Sequence, residues 1–492
     1  MRLLALKHLL VLCGIFGGFY FLARGMTADG PFSYDEADYM YAASLGWTAN
    51  WMDSPALSLP EFLRAGLRGR ARSERNNLSE LIRSTNDVLF YRHWHGPLYA
   101  DWLGLLRRFG LDERSTRAAG VVFPLAATIL LYFGALCLLP GRAGEIAGIL
   151  ASVLYIWSVP VLRTTELAPH QFFAVTTIVA LLLLAKTLQG PPSARLHWYG
   201  ALIATGLSFG LLEVALALVL TVLICGHLGR DRLRPDFAFA GKSLGALLSP
   251  VLIFWPTAIF KLSFIKAYLF MAYLAVFRRG AWGSTISTGQ TWWLRFANSP
   301  VTWILFAFAV GFFVRSRAKA PLLIPFATFS IAMFLVIVPV NSATPRYILP
   351  LLPGVVLLGA FATGIVAART SPVLRSGAVV VICAAMFVTS WLNVQISRPA
   401  PDRRSEALLA FVRNPSVSPR TLLIPHDDLP TLHYYFPNSR FKTYYDEAEI
   451  PDQIRSGGID GVIYHDRAGS GVTCSAEEPP DPKAGPWKAV CP

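Results

Sequence analysis

Residues 197–228 read HWYGALIATGLSFGLLEVALALVLTVLICGHL, an apolar run in which Glu213 is the only acidic residue. A helix needs about 20 mainly apolar residues to cross a membrane, so the run is too long for one ordinary span. It predicts two short helices that turn near Glu213, because an unpaired carboxylate inside the bilayer would be costly. The run therefore indicates a helical membrane protein.

The composition of the whole chain supports the same class. Hydrophobic residues make up 54% of the 492 residues and charged residues only 15%, against about 25% charged in soluble proteins. The mean hydropathy is +0.47. These values exclude an ordinary cytosolic enzyme and a disordered or fibrous chain.

Eleven membrane spans are predicted by the same criterion. They lie near residues 5–24, 117–139, 143–162, 169–187, 197–212, 214–228, 243–262, 300–314, 321–340, 347–367 and 377–395. The first span could instead be a secretory signal peptide, because its apolar stretch is short. Residues 25–116 lie outside the cytoplasm in either case.

The net charge of +14 comes from 44 Lys+Arg and 30 Asp+Glu. In a soluble protein this excess would point to nucleic acid. Here every predicted inner segment is basic, as the positive-inside rule requires. The residues are Arg2, Lys7, Arg142, Lys186, Arg195, Arg230, Arg232, Arg234, Arg315, Arg317, Lys319, Arg369 and Arg375. The N-terminus is then inside, the C-terminal segment is outside, and no nucleic-acid partner is expected.

The segment after the first span carries an unusual acidic motif. Residues 31–41 read PFSYDEADYMY, with Asp35, Glu36 and Asp38 close together. If a helix begins at Asp35, Asp35 and Asp38 share one face, and carboxylates suit a helix N-terminus. A capped helix start is one explanation of the motif. The functional explanation is that partial desolvation at the hydrocarbon edge raises the pKa of a carboxylate and makes it a stronger base.

Two further patterns lie in the outer loop 25–116. Ser58-Leu59-Pro60-Glu61 is a capping-box pattern, and it opens an apolar stripe flanked by arginines. Such a helix lies on membrane lipids, with a lipid phosphate as an alternative ligand. Residues 93–102 read HWHGPLYADW, in which Gly96-Pro97 predicts a turn into a short helix.

The hydrophobic pattern of the sequence changes after residue 395, where short apolar runs replace the long runs of the predicted spans. Helices are predicted over 405–413, 429–435 and 447–455, and strands over 421–424, 440–445 and 461–464. This alternation predicts a small α/β domain with a parallel sheet. The domains are then 1–395, a transmembrane domain, and 396–492, an outer domain. In this outer domain an oxidising compartment would allow Cys474 and Cys491 to pair.

Four elements together resemble the GT-C superfamily of integral-membrane glycosyltransferases, over about residues 1–395. They are the acidic motif, His95-Gly96-Pro97-Leu98-Tyr99, Arg163-Thr164-Thr165-Glu166 after the third span, and Pro345-Arg346-Tyr347-Ile348-Leu349-Pro350 before a late span. The chain resembles the bacterial relatives of protein O-mannosyltransferases and of lipid A aminoarabinose transferases. It departs from them where many relatives have a lysine, which here is His95.

The resemblance implies transfer of a sugar from a polyprenyl-phosphate donor to an acceptor hydroxyl of a glycan, lipid or protein. The reaction would occur at the outer face of the cytoplasmic (inner) membrane. Asp35 would be the general base, and Glu36 would hold the acceptor or share a divalent cation; no other cofactor is expected.

The other candidate residues would bind substrate. Arg163 and Arg346 would pair the donor phosphate, and Glu166 would position the sugar or the base. His95 and Tyr347 complete the substrate-binding set. The alternatives are a transporter or flippase of a lipid-linked substrate and a non-catalytic assembly partner.

Overall fold

The structure is a computed structural model of the chain. It describes residues 2–27, 29–32, 34–52, 60, 97–162, 167, 169–190, 193–256, 299–315, 321–337, 348–396, 403–413, 421–425, 428–444 and 450–463.

The chain forms two compact units. Unit 1 comprises Met1–Thr27, His95–Tyr99 and Arg117–Pro399, and unit 2 comprises Ala28–Trp94, Ala100–Thr116 and Ala400–Pro492. Unit 2 thus joins the C-terminal segment to parts of the outer loop, whereas the sequence placed the whole loop with residues 1–395. The boundary at 395/396 stays a prediction.

Unit 1 is helical throughout its described part. Its helices are α1 (Arg2–Ala23), α4 (Glu113–Ala119, which begins in unit 2), α5 (Val122–Leu138), α6 (Gly141–Ile156), α7 (Val159–Leu162), α8 (Pro169–Gln189), α9 (Ala194–Leu207), α10 (Leu212–Leu228), α11 (Arg230–Leu233), α12 (Phe237–Phe254), α13 (Pro300–Arg315), α14 (Ile324–Ile337), α15 (Leu352–Ala367) and α16 (Pro372–Ile396). Each of the eleven apolar segments predicted as spans overlaps a helix of this set within the described residues.

Within the described residues, five stretches of helix are long and apolar enough to cross a membrane. They are Leu6–Ala23, Glu113–Leu138, Pro169–Gln189, Phe237–Phe254 and Pro372–Gln395. Shorter apolar helices accompany them, among them Pro300–Arg315 and Leu352–Ala367. The protein is therefore an integral membrane protein, as its composition predicted.

The long apolar run is split, as predicted, but at a different place. The α9 helix ends at Leu207, and a single 3-10 turn, Ser208–Gly210, precedes α10. The break thus lies before Glu213, which sits in the first turn of α10. A Cβ on Gly210 would clash with the ring of Phe173, so the chain turns where only glycine fits. A carboxylate in the first turn of a helix is favoured by the helix dipole.

Glycines bring the helices of unit 1 into close contact. A Cβ on Gly148 would lie 2.9 Å from the backbone oxygen of Tyr132, and one on Gly364 would lie 2.7 Å from that of Ala143. The first contact joins α6 to α5 and the second joins α15 to α6. Small residues at helix contacts are typical of membrane proteins, whose helices associate through close packing.

Unit 2 combines helices with a small sheet. Its elements are α2 (Tyr34–Met52), α3 (Leu98–Arg108, which begins in unit 1), α17 (Arg403–Val412), β1 (Leu422–Pro425), α18 (Leu429–Tyr435), β2 (Phe441–Tyr444), α19 (Ile450–Arg455) and β3 (Gly461–Val462). The three strands found among the described residues of this unit run parallel in the order β2-β1-β3. The predicted parallel sheet is confirmed, with element bounds within three residues of those expected.

The core of the C-terminal part lies on the two faces of β1. Leu422 and Ile424 face one side with Leu408 and Leu432, and Leu423 faces the other with Tyr444. This alternation follows from the period-two geometry of a strand. Helices on both faces complete the burial of a parallel sheet.

Candidate functional site

The acidic motif lies at the start of α2, as the sequence predicted. The helix begins at Tyr34, so Asp35 and Glu36 occupy its first turn. Gly46 has φ 81° and ψ 165°, a left-handed conformation that glycine adopts at little cost. The helix geometry is therefore interrupted at Gly46, and the acidic motif lies in the part of α2 before this residue.

The three carboxylates differ in burial. Asp35 is partly exposed, whereas Glu36 is only 7% exposed. Asp38 is partly exposed as a residue, but its Oδ1 atom is shielded from solvent. Asp35 can thus meet a substrate from solution, while Glu36 lies on the side of α2 that carries the buried Ala37 and Met40.

Helix α18 holds the segment that carries the motif. The ring of His433 stacks on that of Tyr41, with centroids 4.3 Å apart and planes at 28°. The ring of Tyr434 meets that of Phe32 edge-on at 5.8 Å. Successive residues of α18 therefore contact the chain on both sides of Asp35 and Glu36.

Tyr435 adds hydrogen bonds to these ring contacts. The Phe32 N–H donates to Tyr435 Oη at 2.8 Å, and Tyr435 Oη donates to Glu113 Oε1 at 2.9 Å. Burial, reinforced by the bond to the Glu113 carboxylate, raises the pKa of Tyr435 well above its ordinary 10.0. The phenol therefore keeps its proton and stays a donor to Glu113.

Asp101 is a carboxylate to which the sequence analysis gave no role. It lies in the first turn of α3, and both of its carboxylate oxygens are shielded from solvent. One turn later Gly104 approaches α2, because a Cβ there would lie 3.2 Å from the backbone oxygen of Ala43. In the sequence Asp101 is an aspartate among apolar and aromatic residues, and this pattern does not predict that its carboxylate is buried.

The remaining predicted site residues lie outside the described residues. They are His95, Arg163, Glu166, Arg346 and Tyr347. Asp35 and Glu36 are thus brought together on α2, and the roles of the other five stay predictions. Cys474 and Cys491 also fall outside the described ranges, as does the helix predicted after Ser58.

No group of three or more His, Cys, Asp or Glu side chains that could hold a metal ion occurs within the described residues. The divalent cation that Glu36 was suggested to share therefore stays a prediction.

Unit 1 contains a small apolar pocket. Its lining includes Pro97, Leu98, Gly206, Phe209 and Trp255. Pro97 and Leu98 belong to the motif that resembles the membrane glycosyltransferases. Pro97 and Leu98 therefore lie against the break between α9 and α10 and against the end of α12.

No protein-family model matches the sequence, and no curated protein matches it either. Solved structures do match. The crystal structure of ArnT from Cupriavidus metallidurans bound to undecaprenyl phosphate aligns with a TM-score of 0.54 at 14% identity, over 91% of this chain and 88% of that chain. ArnT from the same organism in the apo state aligns with a TM-score of 0.52 at 13% identity, over 92% and 89%.

The Archaeoglobus fulgidus oligosaccharyltransferase tethered to an acceptor peptide aligns less well, with a TM-score of 0.45 at 13% identity, over 71% of this chain and 55% of that chain. The likeness to ArnT spans nearly the whole of both chains and confirms the resemblance drawn from the motifs. The chain therefore has the fold of ArnT.

Proposed function

We propose that the protein is a glycosyltransferase that uses a polyprenyl-phosphate-linked sugar as donor. The observation that carries the proposal is the ArnT fold over 91% of the chain, combined with a partly exposed Asp35 at the start of α2. The ArnT structure was solved with undecaprenyl phosphate, which is the type of leaving group that such a donor would release.

Asp35 is the proposed general base. It takes the proton of the acceptor hydroxyl as the oxygen attacks the anomeric carbon of the donor sugar. The bond between that carbon and the phosphate oxygen breaks in the same step, and the polyprenyl phosphate leaves with the bonding electrons. A single displacement of this kind inverts the anomeric configuration.

Glu36 is the proposed partner of Asp35. Its burial suits a group that orients the acceptor or a cation rather than one that exchanges protons with solvent. Arg163 and Arg346 are proposed to pair the phosphate as its negative charge develops. Glu166, His95 and Tyr347 complete the proposed substrate contacts.

The donor lipid needs an apolar surface beside its charged head. The cleft lined by Pro97, Leu98 and Trp255 is a candidate part of that surface, because its described lining is apolar. We propose eleven crossings of the cytoplasmic membrane, with the N-terminus inside and residues 396–492 outside. The acceptor is a hydroxyl of an envelope glycan, a lipid or a protein.

The experiment that tests the function is deletion of the gene followed by mass spectrometry of the envelope glycolipids and glycans. Loss of one sugar from one species supports transfer and identifies the donor sugar and the acceptor together. An unchanged glycan profile with lipid-linked sugar accumulated in the inner leaflet would instead support a transporter or flippase. An unchanged profile of both kinds would support a non-catalytic partner.

A further inference from the structure

We propose that Tyr435 is a positioning residue for the acidic motif, acting through the backbone of Phe32. The inference rests on the proposed function, because it takes Asp35 as the base. It assigns a task to the C-terminal segment, which contributes to the reaction by fixing where α2 begins.

A hydrogen bond from the Phe32 backbone holds the chain just before α2. Phe32 is 2% exposed and stands three residues before Asp35. Its N–H is not part of a helix, so the hydroxyl of Tyr435, 2.8 Å away, supplies its hydrogen-bond partner. Loss of this bond would destabilise the buried N–H, and the segment would be held less firmly.

A second hydrogen bond orients the hydroxyl of Tyr435. A hydroxyl can rotate about its C–O bond, so one hydrogen bond alone would leave its lone pairs free to point in several directions. The bond that Tyr435 Oη donates to Glu113 Oε1 at 2.9 Å directs the proton toward the carboxylate. A lone pair of the same oxygen is then oriented toward Phe32. Bonds to a charged acceptor are stronger than neutral ones.

A ring contact holds α2 on the other side of the acidic motif. The stacking of His433 on Tyr41 at 4.3 Å fixes α2 two turns after its start. With Phe32 held at one end and Tyr41 at the other, the turn that carries Asp35 and Asp38 has little freedom to move. The ion pair between Asp29 and Arg114, by contrast, is exposed on both sides and contributes little.

The rate of the proposed reaction depends on the position of the Asp35 carboxylate. A misplacement of about 1 Å in a reacting group can cost about a hundredfold in rate. Loss of the Tyr435 hydroxyl leaves the Asp35 carboxylate chemically intact but places it less accurately. The step that needs the base should slow, while binding of the donor should change little.

The test compares two Tyr→Phe variants of the full-length protein reconstituted in lipid vesicles. Tyr435→Phe removes the hydroxyl that joins Phe32 to Glu113. The matched control, Tyr444→Phe, removes a buried hydroxyl that donates to the Ile463 carbonyl at 2.7 Å in the same C-terminal segment. We expect Tyr435→Phe to lower kcat about tenfold or more with the donor KM within about twofold, and Tyr444→Phe to keep kcat within about twofold.

A second pair tests the link to Glu113. Glu113→Gln keeps a carbonyl oxygen that accepts the Tyr435 hydrogen and should retain kcat within about threefold. Glu113→Leu removes the acceptor and should resemble Tyr435→Phe. An unchanged kcat in Tyr435→Phe, or an equal loss in Tyr444→Phe, would overturn the proposal.

Amide hydrogen exchange separates this proposal from the proposed function, because it needs no substrate. The peptide that covers residues 29–40 should exchange faster in Tyr435→Phe than in the wild type or in Tyr444→Phe. Unchanged exchange in that peptide overturns the positioning role even if Asp35→Asn abolishes transfer. A wild-type protein that transfers no sugar would instead refute the function and leave the exchange result standing.

Discussion

Substitution of Gly364 by valine tests the packing of α15 against α6. A Cβ at this position would lie 2.7 Å from the backbone oxygen of Ala143 and 3.0 Å from the Cβ of Ala147. Backbone atoms cannot rotate away, so the helices must separate by several tenths of an ångström. Overpacking of this kind costs about 1–3 kcal/mol, and the better helix propensity of valine returns about 0.5 kcal/mol.

The net loss of about 0.5–2.5 kcal/mol should lower the apparent melting temperature by roughly 1–10 °C, at about 2–4 °C per kcal/mol. The assay is tryptophan fluorescence of the detergent-purified protein during heating. Gly377→Val in α16 is the matched control, because no heavy atom lies within 4 Å of a Cβ built there. Its melting temperature should not fall and should rise by about 1–2 °C, because the helix propensity of valine is gained there without a clash. Equal shifts in the two variants would refute the packing argument.

Two further predictions concern protonation and topology. Burial lowers the pKa of His433 below its ordinary 6.5, so the folded protein keeps it neutral while the unfolded chain takes up a proton as the pH falls through 6.5. Wild-type stability should therefore fall between pH 7.5 and pH 5.5 more steeply than that of His433→Phe, and parallel melting curves would contradict this. In a variant lacking the native cysteines, an impermeant maleimide should label Ser456→Cys on intact spheroplasts but should label Thr370→Cys only after the membrane is opened. Equal labelling of both positions would contradict the proposed orientation.

Much of the helical framework is predictable from sequence because its determinants are local. Apolar runs long enough for a membrane predict helices such as Pro169–Gln189, and the start of α2 follows from the acidic first turn at Asp35 and Glu36. The C-terminal alternation of strands and helices likewise gives the parallel sheet. In each case the pattern lies within about 20 neighbouring residues.

The support of the candidate site depends on contacts that no local pattern records. Phe32 and Tyr435 are 403 positions apart, and Tyr435 and Glu113 are 322 apart. The burial of the Asp101 carboxylate likewise depends on what packs around α3. The break lies a few residues earlier than the sequence predicts, at Ser208–Gly210, where Gly210 packs against Phe173.

The central claim is that Asp35 is the base of a sugar transfer. Complementation of a deletion strain tests it most directly. The strain receives the wild-type protein, Asp35→Asn or Asp231→Asn. Asp231→Asn is the control, because Asp231 is a carboxylate on the predicted inner side. Mass spectrometry of the envelope then measures the sugar that the deletion removes. Asp35→Asn should restore at most about 1% of the wild-type rate of addition, since a general base contributes at least about a hundredfold. Asp231→Asn should restore it fully at equal membrane abundance. Full restoration by Asp35→Asn would contradict the account.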